Sequence, residues 1–147
     1  MRDYSYTKNV RKTFGFSRKK NYERIKYENC RCYLCVWIDC SWSECDFYRV
    51  GFFWNCVFKN CSFSDQYTYL GANFKRCRFI DCDFEDVSFK RAVLSDCVIT
   101  GTLTNIVFYG KQAPSGWQTR FNRVDLSGAK LIDTDFRLGL KMEEIIT

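Results

Sequence analysis

Cys35-Val36-Trp37-Ile38-Asp39-Cys40-Ser41-Trp42-Ser43-Glu44-Cys45-Asp46-Phe47 is the stretch that decides the fold. Three times in succession a cysteine stands two positions before a large ring, and the unit returns every five residues. Downstream, Cys56-Val57-Phe58, Cys61-Ser62-Phe63, Cys77-Arg78-Phe79, Cys82-Asp83-Phe84 and Cys97-Val98-Ile99 repeat it. Upstream, Cys30 keeps the spacing with Cys32 in the large position. Elsewhere Ala, Val or Thr takes the cysteine's place, as in Ala72-Asn73-Phe74, Val87-Ser88-Phe89, Ala92-Val93-Leu94 and Thr134-Asp135-Phe136. A helix repeats its face every 3.6 residues and a strand every 2, so a sustained period of five fits neither. It implies a coiled solenoid whose interior is filled by stacked neighbours.

A chain of 147 residues is one domain by length, and 46% hydrophobic residues are too many for a disordered chain. Its longest apolar runs fall far short of the ~18 residues that span a bilayer. The basic N-terminus is followed by no apolar run, so no secretory signal and a cytoplasmic location are expected. Each cysteine occupies a slot that Ala, Val or Thr fills elsewhere, which marks it as a small, reduced packing residue rather than half of a disulfide. Cys32-Tyr33-Leu34-Cys35, with Cys30 nearby, has zinc-like spacing but lacks a second matching pair. No metal or cofactor is expected. Histidine is absent, which removes imidazole acid–base chemistry and Ser-His or Cys-His nucleophile pairs. No glycine-rich phosphate loop appears, and no acid, base and nucleophile converge. The chain reads as a protein that is not an enzyme.

The net charge of +6 is local. Residues 1–28 hold nine Lys/Arg against Asp3, Glu23 and Glu28, and the remainder holds 14 of each sign. The basic segment reads either as a solvated cap or tail, or as a contact for nucleic acid or an acidic partner.

Val124-Asp125-Leu126-Ser127-Gly128 followed by Ala129-Lys130-Leu131-Ile132-Asp133 resembles the motif of the pentapeptide-repeat family, and the match extends with interruptions over residues 27–136. That resemblance implies a mainly β fold, a right-handed quadrilateral parallel β-helix solenoid of about five turns, four pentapeptides to the turn. In it the large residue and the small one two before it point inward and the other three point out. The expected organisation is a basic N-terminal cap or tail over 1–26, the β-helix over 27–109, a projecting loop over 110–118, the last β-helix turn over 119–137 and a C-terminal cap with a short helix over 138–147. Tyr4, Tyr6, Phe14 and Phe16 are candidates for covering the N-terminal end, and the C-terminal cap reads equally as a homodimer interface.

The central positions then run Tyr27, Cys32, Trp37, Trp42, Phe47, Phe52, Phe58, Phe63, Tyr69, Phe74, Phe79, Phe84, Phe89, Leu94 and Ile99, with six-residue steps after Phe52 and Phe63 that read as corner bulges. Four steps per turn sort the interior into ladders. Cys35, Cys56, Cys77 and Cys97 accompany Trp37, Phe58, Phe79 and Ile99, and Cys40, Cys61 and Cys82 accompany Trp42, Phe63 and Phe84. A third ladder takes Cys45, Tyr67 and Val87 with Phe47, Tyr69 and Phe89. The last takes Cys30, Val50, Ala72 and Ala92 with Cys32, Phe52, Phe74 and Leu94. Past Ile99 the register stays open, because Thr104 and Tyr109 keep the strict period while Leu103 and Phe108 suit a one-residue slip.

Outward positions supply the candidate binding residues. Glu44, Asp65, Asp83, Glu85 and Asp86 form an acidic stripe. Tyr33, Leu34, Phe53 and Trp54 fall outside on a basic face, where large apolar residues gather only if something covers them, either residues 1–26 or a partner. Trp117 lies in the 110–118 loop. The leading functional expectation is a protein-binding module that neutralises or protects one macromolecular partner, in the manner of a toxin-immunity protein. The family resemblance implies a second, a DNA mimic that protects or inhibits a type II topoisomerase (gyrase). A third is nucleic-acid association through the basic N-terminus. No membrane role is expected.

Overall fold

The computed structural model describes residues 4–49, 51–140 and 145–146. The chain is mainly β, a parallel β-solenoid in which every strand pair is parallel and partners lie about one turn apart, as in Trp37↔Phe58 and Phe58↔Phe79. Five turns run from Tyr27 to Phe136. No helix occurs among the described residues, so none is long and apolar enough to cross a membrane.

The four walls are named here by one central residue each. The Trp37 wall stacks Ser17, Trp37, Phe58, Phe79 and Ile99. The Trp42 wall stacks Tyr22, Trp42, Phe63, Phe84, Leu103 and Leu131. The lumen between them is packed by rings lying flat on the ring one turn away, Trp37 on Phe58 and Phe58 on Phe79 at 4.7 Å, Trp42 on Phe63 at 4.8 Å. Rings on adjoining walls meet edge to face, as Phe58 and Phe63 do at 5.7 Å, so Trp37, Trp42, Phe58, Phe63 and Phe79 each make both favoured geometries.

All ten cysteines are free and buried. Sγ–H groups of the ladder cysteines donate to backbone carbonyls one turn back or two residues before them, for example Cys82 to Phe58 at 3.2 Å and Cys40 to Ile38 at 3.3 Å. Burial pushes the Cys32 thiol up to about 12 and raises those of Cys35, Cys40 and Cys45. Hydrogen bonds to Cys56 and Cys97, then burial, raise that of Cys77. An unfolded thiol ionises near 9.0, so above that pH these raised thiols hold fewer protons in the unfolded chain than in the folded one. Stability is therefore expected to be complete below about pH 9 and to fall as pH rises toward about 12. Urea denaturation across that range checks it, and a thiol reagent at about pH 8 should label no cysteine until the chain unfolds.

Three expectations are corrected. The first concerns the Phe53 wall. Phe53, not Phe52, pairs with Cys32 and Phe74 and is buried, so the six-residue step lies between Phe47 and Phe53 and Gly51 takes the small slot. Val50 lies outside the described residues. The second concerns the wall of Tyr27, Phe47, Phe89 and Phe108, where Thr68 and Leu70 are fully buried while Tyr67 and Tyr69 face out. Thr68 suits the interior because its hydroxyl donates to the Ser64 carbonyl at 2.6 Å and accepts from the Cys45 N–H at 3.3 Å, whereas a phenol there would bury an unmatched hydroxyl. The extra length is taken up in a turn at Asp65–Tyr67, closed by Thr68 N–H on the Asp65 carbonyl at 2.8 Å.

The third correction is at the N-terminal end. Residues 5–24 are neither tail nor cover. Strands Ser5–Lys8, Arg11–Thr13, Phe16–Arg18 and Asn21–Glu23 make one more turn, paired to the next by residues twenty positions on. Its lumen positions are Thr7, Lys12, Ser17 and Tyr22. Phe14 and Phe16 are 76% and 63% exposed and cover nothing. These strands are each paired on one side only. Lysine turned inward at the mouth, with Lys8, Arg11, Arg18, Lys19 and Lys20 around the rim, is how an open sheet edge is kept from pairing with another chain.

Past Ile99 the one-residue slip is the arrangement adopted, since Leu103 and Phe108 are fully buried. At the C-terminal end the expected helix is not seen. Residues 141–144 lie outside the described part, and Ile145–Ile146 is a strand paired with Val124–Asp125.

Corners have their own chemistry. Among the described residues twenty non-glycine positions have positive φ, and eleven of them are Asn or Asp, the residues that best tolerate the left-handed conformation. The corner N–H donates one turn onward, as from Asn9 to Glu28 O at 2.9 Å and from Asn60 to Ile80 O at 2.8 Å. Side chains bridge the same gap, Asn60 Nδ2 to Asp39 Oδ1 at 2.7 Å and Asn29 Nδ2 to Asn9 Oδ1 at 2.8 Å.

Candidate partner-binding surface

The corner joining the Phe53 and Trp37 walls carries an aromatic patch at the N-terminal end. Parallel register stacks outward residues in columns, one residue per turn. One column runs Arg11, Arg31, Phe52, and its neighbour Thr13, Tyr33, Trp54, Lys75. The corner itself sets Phe14 and Leu34 at positive φ, and across it Phe16 pairs with Val36 and Val36 with Val57. Tyr33 meets Trp54 edge to face at 6.0 Å and Phe52 at 6.1 Å, with Arg11 5.4 Å over its ring. Trp54 is 38% exposed and Leu34 is also exposed. A contiguous apolar surface rimmed by Arg11, Arg18, Arg31 and Lys75 has the anatomy of a binding site, large rigid rings at the centre and charge at the edge. Phe53 leaves the list of candidates, because its ring fills the lumen. Phe14, Phe16 and Phe52 join it. The five-residue count would have placed Phe14 and Phe16 outside had it been carried back through Thr7, Lys12, Ser17 and Tyr22.

The acidic candidates divide into two kinds. Asp83 and Glu85 are exposed on the strand Arg78–Glu85, where the same columns hold Ser62 and Thr102, and Ser64 and Thr104. Glu44, Asp65 and Asp86 stand at corners with positive φ. Glu44 Oε2 lies 3.4 Å from Arg24 Nε, Asp65 Oδ1 accepts the Tyr67 N–H at 3.2 Å, and Asp86 accepts the Asn105 amide. Backbone conformation explains Asp at two of these positions without any partner. Asp83 and Glu85 thus stand exposed among serines and threonines, while Asp65 and Asp86 keep their charge at the corners.

Trp117 lies on the Phe47 wall. The segment 110–118 folds back on the coil through Gln112 N–H on the Leu138 carbonyl at 2.9 Å and Gln118 Nε2 on the Ala113 carbonyl at 2.9 Å. Its ring packs 5.3 Å from that of Tyr109, under the Lys90 ammonium at 4.2 Å. Among the described residues no three metal-ligating side chains converge.

A family model described as pentapeptide repeats (8 copies) matches residues 71–103. No curated protein matches the chain. Among solved structures, a trypsin-treated form of QnrB1, a plasmid-mediated fluoroquinolone resistance protein, is 14% identical over 92% of each chain with a TM-score of 0.31. Full-length QnrB1 is 12% identical over 89% of this chain and 94% of its own, at 0.29. The pentapeptide repeat protein Rfr23 from the cyanobacterium Cyanothece 51142 is 7% identical over 96% and 90%, at 0.26. Those superpositions are loose. The repeat itself is not: a small side chain stands two positions before each lumen-filling one, every five residues around four walls, and over residues 71–103 it matches the model of pentapeptide repeats, which the chain resembles.

Proposed function

We propose that the chain is a non-enzymatic protein-binding module that neutralises or protects one macromolecular partner by covering it, in the manner of an immunity protein on a toxin. One observation carries this reading: the exposed aromatic corner of Phe14, Phe16, Tyr33, Phe52 and Trp54, rimmed by arginine and lysine. The rim favours a partner acidic around an apolar centre. Ten buried free thiols suit a reducing compartment, which supports action in the cytosol. The partner captured by the native chain is expected to lose tenfold or more in affinity to a Phe14→Ala/Trp54→Ala variant, about 1.4 kcal/mol or more. Both side chains are exposed, so the variant should keep its unfolding midpoint. Capture that survives this double substitution would remove the proposal.

A second reading, a DNA mimic acting on a type II topoisomerase, is favoured only by Asp83 and Glu85 on the Trp42 wall. Inhibition of gyrase supercoiling that is abolished by Asp83→Lys/Glu85→Lys and indifferent to Trp54→Ala would place this reading first. Retention of duplex DNA or RNA with a steep salt dependence would instead favour the basic first turn as a nucleic-acid contact.

A further inference from the structure

The Phe47 wall carries an open groove of about 640 Å³ that the protein-binding reading does not use. One bank is the corner column Asp65, Asp86 and Asn105. The floor is Tyr69, 40% exposed and paired with Ser88 one turn on. The far bank is Lys90 and Tyr109, with Trp117 packed behind. A second cavity of about 300 Å³ shares Tyr69 and Lys90 and continues under Gly116. Two chain irregularities make it: the turn at Asp65–Tyr67 turns Tyr69 outward, and the excursion at 110–118 overhangs the other side.

We infer that this groove is a binding site for a neutral oligosaccharide, a ligand recognised by ring faces and by donors and acceptors together. Tyr69 and Tyr109 offer flat π-faces, negative at their centres, against which the C–H face of a pyranose packs. Carboxylates that only accept, an amide that does both and a hydroxyl at Ser88 match the alternating O–H groups of a sugar edge. Two carboxylates stand against one ammonium, and the Lys90 ammonium already rests on Trp117. The local charge therefore disfavours phosphates, nucleic acids and uronic acids. Val87 and Val107 are the only aliphatic side chains lining the groove, too little apolar surface for an acyl chain. Tyr69 and Tyr109 lie two turns apart and two residues offset along the strand, ~12 Å at the ~4.8 Å strand spacing and ~3.3 Å rise per residue, a span of two to three linked pyranoses.

The test titrates the full chain with cellotetraose, maltotetraose, chitotetraose and mannotetraose by calorimetry. At least one is expected to bind, with affinity reduced about tenfold or more by Tyr69→Ala and severalfold by Asp86→Asn, and unchanged by Trp54→Ala on the partner corner. Asn suits the left-handed corner as well as Asp does, so Asp86→Asn keeps the fold even if Tyr69→Ala does not. Silence of all four sugars, binding that survives both substitutions, or binding confined to polygalacturonate or to a cationic peptide would each overturn the inference. Because Phe14 and Trp54 lie on a different corner, this proposal and the protein-binding one fail separately.

Discussion

Phe53→Ala is expected to lower the free energy of unfolding by about 3–5 kcal/mol, and Phe52→Ala by less than about 1.5 kcal/mol. The two side chains are adjacent and chemically identical, so the contrast isolates position. The Phe53 ring lies flat on Phe74 at 5.0 Å, meets Trp37 at 6.0 Å and Phe58 at 5.9 Å edge-on, and meets Phe47 at a tilt at 6.1 Å. Truncation there leaves a hole in a lumen that cannot collapse, because four hydrogen-bonded walls hold its width. Phe52 is half-buried and touches Tyr33 from outside. Urea denaturation with equal slopes for both variants checks the pair. Losses that are equal or reversed would put Phe52 in the lumen and move the long step back to the residues after it.

The second large effect is at Gly101. Its φ is +111°, and a Cβ there would stand 2.0 Å from the Cys82 carbonyl oxygen and 2.6 Å from the Cys82 nitrogen. Both the conformation and the space exclude a side chain. Gly101→Ala is therefore expected to cost about 3–5 kcal/mol, or to abolish folding. Gly51→Ala is the control. A Cβ there would lie 3.5 Å from the Cys30 carbonyl, ordinary contact, and φ is not in the left-handed region. It should change stability by less than about 1 kcal/mol, in the stabilising direction, by restricting the unfolded chain. Thermal unfolding of the two variants beside the parent reads both results. A benign Gly101→Ala would mean that the four-residue step from Ile99 to Leu103 is not built as described.

The structural difference between these glycines is invisible in sequence, and it shows where reading from residues stops. Gly101 allows a wall to be shortened by one residue. The five-residue count detects that something slips near Leu103, but Thr104 and Leu103 are both acceptable strand residues, and only the pairing of Leu103 with Phe84 decides. Tyr67-Thr68-Tyr69-Leu70 shows the same limit. The large residue expected in the lumen is displaced by Leu70 because the turn at Asp65 consumes the extra length, and turn geometry is set by hydrogen bonds the sequence does not display. The first turn was missed for a different reason. Its lumen positions lie at the end of the coil and are filled by Thr7, Lys12 and Ser17, of which only Ser17 is buried, so hydrophobicity fails as a signal where spacing still works.

The acidic stripe was legible as residues, and backbone geometry accounts for part of it. Asp65 and Asp86 occupy corners where the backbone itself prefers Asp or Asn, and Glu44 lies against Arg24. The aromatic corner was partly legible, since Tyr33, Leu34 and Trp54 are outward in any register near the one adopted.

By itself the sequence determined the repeat length and the small-then-large pairs, because a lumen one side chain wide accepts only a small residue followed by a large one at fixed spacing; the four walls came from the resemblance to the pentapeptide-repeat family, and with them the cysteine ladders and the buried rings from Phe58 to Phe63 and from Phe74 to Phe89 followed. Only the tertiary structure decided where the count gains or loses a residue, that the basic N-terminus is a turn of the coil, and which exposed residues share a surface. Those outcomes depend on stacking between residues twenty or more positions apart, and a shift of one residue in that stacking moves a side chain from the inside of the tube to the outside.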